Sequence, residues 1–271
     1  MENFNKTKQL RLVAFITALF FAFTMNVFAQ VAQSNNYTFS TGSTGNLALD
    51  MNSNAIDLSS QPDLTIPANA MTLATMDIGF DFWFMGTRYF QLTPTVRGTV
   101  GLGPITVNSA TVNLNQVVAN TAPILAPFWN NNTFTPGIGR NLRTKLVGTA
   151  PNRCFVFEWR LITNSSYYGA GDMTFQMRLY ETSGIVEYVY GNMAITTGSV
   201  SAIVNQAAIG FTVNNNLNNR LASVNNLSTY TNTFNPSFVN NAVVSQQAAG
   251  PIAGLSAGRY FRYAPAVPAA P

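Results

Sequence analysis

The sequence has no histidine, one cysteine and few charges, and each shortage excludes a class of protein. Its 271 residues include 14 Lys and Arg and 10 Asp and Glu, so that only 9% of the chain is charged. Without histidine there is no Ser-His-Asp arrangement, no imidazole base and no imidazole metal ligand. Without runs of Lys and Arg there is no phosphate-binding surface, so we expect no nucleic-acid partner.

Glycoside hydrolysis is a reaction that needs no histidine, because two carboxylates can carry it. Sandwich glycosidases group their acids at alternate positions of one strand, and the sequence has no Glu-x-Asp-x-x-Glu run of this kind. Glu158 lies beside Arg160, and Glu187 follows Arg178 in the next predicted strand, so we interpret these acids as members of cross-strand ion pairs. We therefore expect a protein that is not an enzyme and has no cofactor.

The single cysteine, Cys154, cannot form a disulfide within the chain. A lone cysteine in a secreted protein is either a reactive or inter-chain thiol, or an inert buried side chain. Because Cys154 opens a hydrophobic strand beside Phe155, we expect the buried thiol. The stability of the fold then depends on its core rather than on crosslinks.

Residues 1–29 have the organisation of a secretory signal peptide. Basic residues precede an apolar stretch over residues 12–28, and Val27-Phe-Ala29 provides the short side chains of a cleavage point before Gln30. The alternative is an uncleaved anchor, although the apolar run is near the lower limit of about 20 residues for a membrane span. We expect a secreted or outer cell-surface protein with no transmembrane segment after cleavage.

Residues 153–191 alternate in hydrophobicity and predict three consecutive antiparallel strands, around which the rest of the chain is organised. The residues expected on the buried face of the first two strands are Phe155, Phe157, Trp159, Leu161, Met173, Phe175, Met177 and Leu179. A two-residue turn at Ser183-Gly184 would set Tyr180 opposite Glu187, with Arg178 on the diagonal.

Further short strands are predicted on both sides of this group, and no long helical pattern occurs. They are residues 77–86 with Phe80, Phe82 and Phe84 on one face, 140–147 in a hairpin with 153–162, 207–213, and 258–263 with Tyr260 and Arg262 on one face. Pro123 and Pro127 exclude a helix and confine any strand between them to a sheet edge. The pattern predicts an all-β protein, an antiparallel β-sandwich of jelly-roll type, formed by one domain over residues 30–263 with a Pro/Ala-rich tail over 264–271.

Two predicted loops carry candidate ligand-binding residues. Tyr167 and Tyr168 form an aromatic pair before a glycine-rich stretch, and Asn130, Asn131 and Asn132 form an amide-rich loop. Lectin-like sandwiches bind polysaccharides through such rings and amides. The alternative is that the tyrosines cover the edge of the core and the asparagines serve turns that need left-handed backbone.

A weak calcium pattern lies near the start of the domain. Its oxygen-bearing side chains are Asp50, Asn52, Asn54 and Asp57. Ala55 and Gln61 stand where a helix-loop-helix calcium loop has Gly and Glu, so we expect a solvated Asx-rich turn and no metal.

The order of several short motifs resembles a known family. The motifs are Ile78-Gly-Phe-Asp-Phe82, Phe84-Met-Gly-x-x-Tyr89, Ala126-Pro-Phe-Trp129, Gly148-Thr-Ala-Pro-Asn-Arg153, Phe157-Glu-Trp159, Arg178-Leu-Tyr-Glu181 with Val186-Glu-Tyr188, and Ile209-Gly-Phe211. This series, over residues 37–263, resembles the concanavalin A-like or nidogen-like β-sandwich module of secreted Bacteroidota surface proteins. The resemblance implies a sandwich at the cell surface and no particular ligand. Asn130–Asn132 departs from it, since relatives favour Asp after the Trp.

Two non-catalytic functions fit these observations. The first is attachment through a polysaccharide or another cell-surface ligand. The second is self-assembly as a homo-oligomer, because low charge, many Asn and Thr residues and exposed sheet edges suit lateral packing into a fibre or surface layer.

We predict that the mature protein begins at Gln30, because Val27-Phe-Ala29 matches a signal-peptidase site. Intact-mass measurement of the exported protein tests this prediction. A mass that includes residues 1–29 would show that the apolar segment is retained as an anchor.

Overall fold

The computed structural model describes residues 34–66, 71–105, 123–130, 132–133, 139–164, 173–195, 207–213, 221–227, 229–234, 250–252 and 254–266. The chain divides into two units, Met1–Val31 and Ala32–Pro271. The predicted signal peptide and most of the predicted tail lie outside the described residues, and both stay predictions. No helix in the described ranges is long and apolar enough to cross a membrane.

The regular secondary structure of the described residues is a series of strands and one turn of 3-10 helix, Ser34–Asn36. The strands are β1 (Tyr37–Gly42), β2 (Met76–Phe84), β3 (Thr87–Pro94), β4 (Val100–Leu102), β5 (Ile124–Trp129), β6 (Asn132–Thr133), β7 (Asn141–Val147), β8 (Cys154–Asn164), β9 (Met173–Tyr180), β10 (Val186–Tyr190), β11 (Ala194–Ile195), β12 (Ala208–Thr212), β13 (Leu221–Asn226), β14 (Thr231–Phe234), β15 (Gly250–Pro251) and β16 (Tyr260–Pro265).

Two seven-stranded antiparallel sheets pack face to face. The first has the order β1-β16-β10-β9-β8, and β8 also pairs with β7 along its first half and with β6 near its end. The second has the order β14-β13-β12-β5-β4-β3-β2, and β11 pairs separately with β15. The predicted all-β sandwich and the hairpin of β7 with β8 are confirmed. The jelly-roll subtype stays a prediction.

The core between the sheets follows the alternation of the sequence. Phe80, Phe82 and Phe84 of β2 all point inward, as predicted, and Phe84 meets Phe211 of β12 edge to face at 5.4 Å between ring centroids. One cluster of buried side chains includes residues from both sheets. Burying this apolar surface is the main term that stabilises a fold without crosslinks.

The edge position expected for the proline-containing strand is wrong, because β5 lies inside the second sheet between β4 and β12. The pairing of β5 with β12 shifts register between Ala208 and Gly210, so Pro127 falls at a bulge and needs no N–H partner. Polar side chains from the opposite sheet bind the freed backbone groups: the Tyr188 hydroxyl donates to the Gly210 carbonyl at 2.7 Å, and the Tyr190 hydroxyl donates to the Pro127 carbonyl.

Two expectations about the organising strands are corrected by irregularities in the sheet. A bulge between Trp159 and Ile162 of β8 puts Leu161 at φ 53°, so Ile162 rather than Leu161 is buried in the core. The turn between β9 and β10 is a four-residue loop over 181–184 rather than a two-residue one, since the Tyr180 N–H donates to the Ile185 carbonyl at 3.0 Å and the Gly184 N–H to the Tyr180 carbonyl at 3.1 Å. Arg178, not Tyr180, is therefore directly opposite Glu187.

We predict that Trp159→Ala lowers the free energy of unfolding by about 3–5 kcal/mol, the range for large aromatic truncations in cores. The Trp159 side chain is fully buried, lies stacked on Phe175 at 5.0 Å, and donates from Nε1 to the Thr95 carbonyl at 2.8 Å. Denaturant unfolding measures the change. Phe90→Ala is the control, because Phe90 is 56% exposed, and an equal shift for both variants would contradict the assignment.

Candidate functional site

The outer face of the first sheet carries polar side chains in rows that run across the strands. The pairing of β16, β10 and β9 places Arg262, Glu187 and Arg178 side by side. In the next row Tyr260 lies on β16 and Gln176 on β9. Residues 43–58, which we call the covering segment, contact this face, so these groups lie between the sheet and a second layer of backbone.

Glu187 is the centre of the first row. It is buried and accepts four hydrogen bonds: from Arg262 Nε at 3.0 Å and Nη2 at 2.6 Å, from Arg178 Nη1 at 3.3 Å, and from the Tyr180 hydroxyl at 2.9 Å. A buried carboxylate is tolerated when opposite charges and donors replace water in this way. Burial, followed by the negative charge of Glu187, raises the pKa of Tyr180, which keeps its hydroxyl a donor.

Arg178 attaches the covering segment to the sheet. Besides its bond to Glu187, it donates to the carbonyls of Leu49 at 2.9 Å and Asn46 at 2.5 Å, and to Gln176 Oε1 from Nε and Nη2. All five guanidinium N–H groups therefore have an acceptor. Gln176 Nε2 adds a bond to the Leu47 carbonyl at 3.1 Å, so side chains of β9 fix the backbone of residues 46–49.

The buried face continues under the covering segment beyond this network. Gln176 Nε2 donates to Glu158 at 2.7 Å, and burial raises the pKa of the Glu158 carboxyl. Cys154 is fully buried in a small apolar cluster with Ile56, Leu58 and other residues, which confirms the predicted buried thiol. Burial also raises the pKa of the Cys154 thiol, so it is protonated at neutral pH and unreactive.

A cavity of about 520 Å³ opens beside this network, between β16 and the covering segment. Arg178, Glu187 and Asp50 lie at its buried side. Its accessible lining includes Thr44, Asn46, Leu49, Asn52, Tyr260 and Arg262. The Arg262 guanidinium also lies over the Tyr260 ring, 4.8 Å from its centroid.

Several hydrogen-bonding groups of this cavity are unused. Among the described residues, the Thr44 and Tyr260 hydroxyls, the Asn52 side-chain amide and Arg262 Nη1 make no hydrogen bond to protein. Leu49, which is 40% exposed, adds apolar surface. The cavity can therefore accept a small polar ligand that also has a hydrophobic face.

The loops predicted from sequence lie elsewhere. Tyr167, Tyr168 and Asn131 fall outside the described residues. Asn130 is buried, and Asn132 is buried on β6, where its Nδ2 donates to the Phe128 carbonyl at 3.0 Å and the Arg97 carbonyl at 3.1 Å. The donors of Asn132 thus hold the chain near Arg97, and a ligand role for these residues stays a prediction.

The residues of the calcium pattern form separate Asx turns. The Asp50 carboxylate accepts bonds from the backbone N–H groups of Asn52 and Asn54 at 2.8 Å and from Asn54 Nδ2 at 2.9 Å, while Asp57 accepts from Ser59. Within the described ranges no group of three or more acidic or thiol side chains is placed to hold a metal ion. These turns shape the covering segment.

Tyr260 and Arg262 were predicted to share a strand face, which the structure confirms, but sequence reasoning did not assign them to a site. Their partners in the cavity are more than 200 residues earlier in the chain, at Thr44 and Asn52. The pairing of β16 with β1 and the bond from the Gly45 N–H to the Gly258 carbonyl at 2.8 Å bring the two segments together, and no local sequence pattern predicts either contact.

Comparison with known proteins identifies a family. A family model described as NIDO related matches residues 36–254, which include the covering segment and all strands from β1 to β15. The match ends before β16, so Tyr260 and Arg262 lie outside it. No curated protein and no solved structure gives a significant match.

We predict that Arg178→Met lowers the free energy of unfolding by about 3–5 kcal/mol, because removing one partner of a buried ion pair leaves the other poorly compensated. It also frees the carbonyls of Asn46 and Leu49, so amide hydrogen exchange in residues 44–52 should accelerate. Arg88→Met is the matched control, since the Arg88–Asp81 pair is exposed and contributes at most about 1 kcal/mol. Equal denaturation midpoints for the two variants would contradict the anchoring role.

Proposed function

The chain belongs to the NIDO-related family, and from this premise we propose that it is a non-catalytic module, secreted or displayed on the cell surface, that mediates attachment by binding carbohydrate. The observation that carries the proposal is the cavity between β16 and the covering segment. Its volume of about 520 Å³ is within the range of sites for small ligands, roughly 300–1,000 Å³.

The chemistry of the lining supports carbohydrate as the ligand. Sugar hydroxyls both donate and accept hydrogen bonds, and the unused groups of Thr44, Asn52, Tyr260 and Arg262 supply both kinds of partner. The C–H faces of a sugar ring need apolar contact, for which the exposed side chain of Leu49 is available.

The state of the carboxylates supports a non-catalytic role. A glycosidase needs one carboxyl group free to protonate the leaving oxygen and another free to attack or to activate water. In this cavity Glu187 already accepts four hydrogen bonds and Asp50 accepts three. Neither acid has the freedom that the reaction requires.

A glycan array compares the wild-type protein with Tyr260→Ala, which removes one side wall of the cavity. We expect the wild type to bind a subset of glycans and the variant to lose most of this binding. Because Tyr260 is only half-buried, the melting temperature should change little. The double variant Tyr167→Ala/Tyr168→Ala is tested in parallel, since that pair is the other candidate surface.

Each result of the array has a distinct meaning. Binding that only the double variant loses would move the site to residues 167–168 and overturn the assignment of the cavity. Absence of binding to any glycan would overturn carbohydrate attachment. Concentration-dependent light scattering of the purified protein would then show whether self-assembly is the function instead.

A further inference from the structure

We propose that the cavity selects an uncharged saccharide unit and discriminates against acidic sugars. This inference rests on the proposed function and specifies the class of its ligand. Three features of the described residues support it: the balance of charge in the cavity, the neutral hydroxyls and amide among the unused groups, and the fixed position of one wall.

The charges that line the cavity cancel. Arg178 and Arg262 contribute two positive charges, and Asp50 and Glu187 contribute two negative charges. The lining therefore has no excess of positive charge to attract a carboxylate.

The two cations are also already engaged. Arg178 uses all five N–H groups, and Arg262 directs Nε and Nη2 to Glu187. To form a two-pronged bond through Nε and Nη2 of Arg262, a ligand carboxylate would have to displace Glu187, whose side chain is only 3% exposed. That displacement would leave a buried carboxylate with too few partners, which is strongly unfavourable.

The groups that remain free suit hydroxyls. Thr44, Asn52 and Tyr260 are neutral and carry donors and acceptors, while Arg262 offers its outer edge, Nη1 with the second N–H of Nη2. This edge can donate to hydroxyl oxygens without adding charge to the cavity, whereas a carboxylate bound there would add a second negative charge to a guanidinium that Glu187 already neutralises.

The wall that carries Thr44 and Asn52 is held in place before any ligand arrives. Arg178 binds the carbonyls of Asn46 and Leu49, and the Met51 N–H donates to the Tyr180 hydroxyl at 3.1 Å. A preorganised wall reduces the entropy lost on binding, so a few hydrogen bonds to neutral hydroxyls can give measurable affinity.

The experiment uses isothermal titration calorimetry with the neutral glycans that the array identifies and with uronate oligosaccharides of the same length. We expect the uronates to bind at least tenfold more weakly. We also expect the affinity for neutral glycans to be unchanged between 50 and 500 mM NaCl, because salt screens interactions between charges and not hydrogen bonds between neutral groups.

The double variant Thr44→Ala/Asn52→Ala should weaken binding of the neutral glycan at least fivefold, as expected for the loss of two hydrogen bonds. The matched control is Thr149→Ala/Asn152→Ala, which removes the same two side-chain types from exposed positions in the turn between β7 and β8, outside the cavity. The control should bind like the wild type.

Two outcomes would overturn the inference while the proposed function stands. One is Tyr260-dependent binding of uronates at equal or higher affinity, with a strong loss in high salt. The other is neutral-glycan binding that depends on Tyr260 but is the same in both double variants. If no glycan binds at all, the proposed function fails and this inference fails with it.

Discussion

The buried carboxylate of Glu187 is the constraint on which the outer face of the first sheet depends. A charge without water needs compensation, and here two arginines and one tyrosine on β9 and β16 provide it. Arg178 in turn needs acceptors for its remaining N–H groups and finds them in the covering segment. The backbone carbonyls of the covering segment accept hydrogen bonds from the buried Arg178, and these bonds hold the segment against the sheet. The same segment forms one wall of the cavity.

Hydrogen bonds from side chains also join the two sheets, by a different route. A bulge in the pairing of β5 with β12 leaves backbone groups without ladder partners, and burying them unpaired would be costly. The Tyr188 hydroxyl satisfies two of these backbone groups: it donates to the Gly210 carbonyl and accepts from the Ala126 N–H at 3.2 Å. Because such bonds require one alignment of the sheets, they add specificity to a core whose apolar contacts alone would tolerate sliding.

Strand faces could be predicted from the sequence because alternation is local, as Phe80 and Trp159 show. The register between strands could not be predicted, because it depends on turn geometry and on single inserted residues. A bulge in β8 places Ile162 instead of Leu161 in the core, and a turn longer than expected places Arg178 opposite Glu187. The cavity could not be predicted from the sequence for the same reason. Its lining comes from the covering segment, β9, β10 and β16, and contacts between these elements connect distant parts of the chain.

The few charged residues of this chain are concentrated in part around the cavity. Charge is rare on this chain, yet Arg178 and Glu187 of the first sheet and Asp50 of the covering segment are all buried beside one cavity. These charged groups form ion pairs and hydrogen bonds with one another and with neighbouring polar and backbone groups. The groups left to bind a ligand are neutral side chains and one edge of the Arg262 guanidinium. A protein that uses its charges to build a rigid site, and its hydroxyls and amides to line it, is suited to ligands that are themselves rich in hydroxyls and without charge.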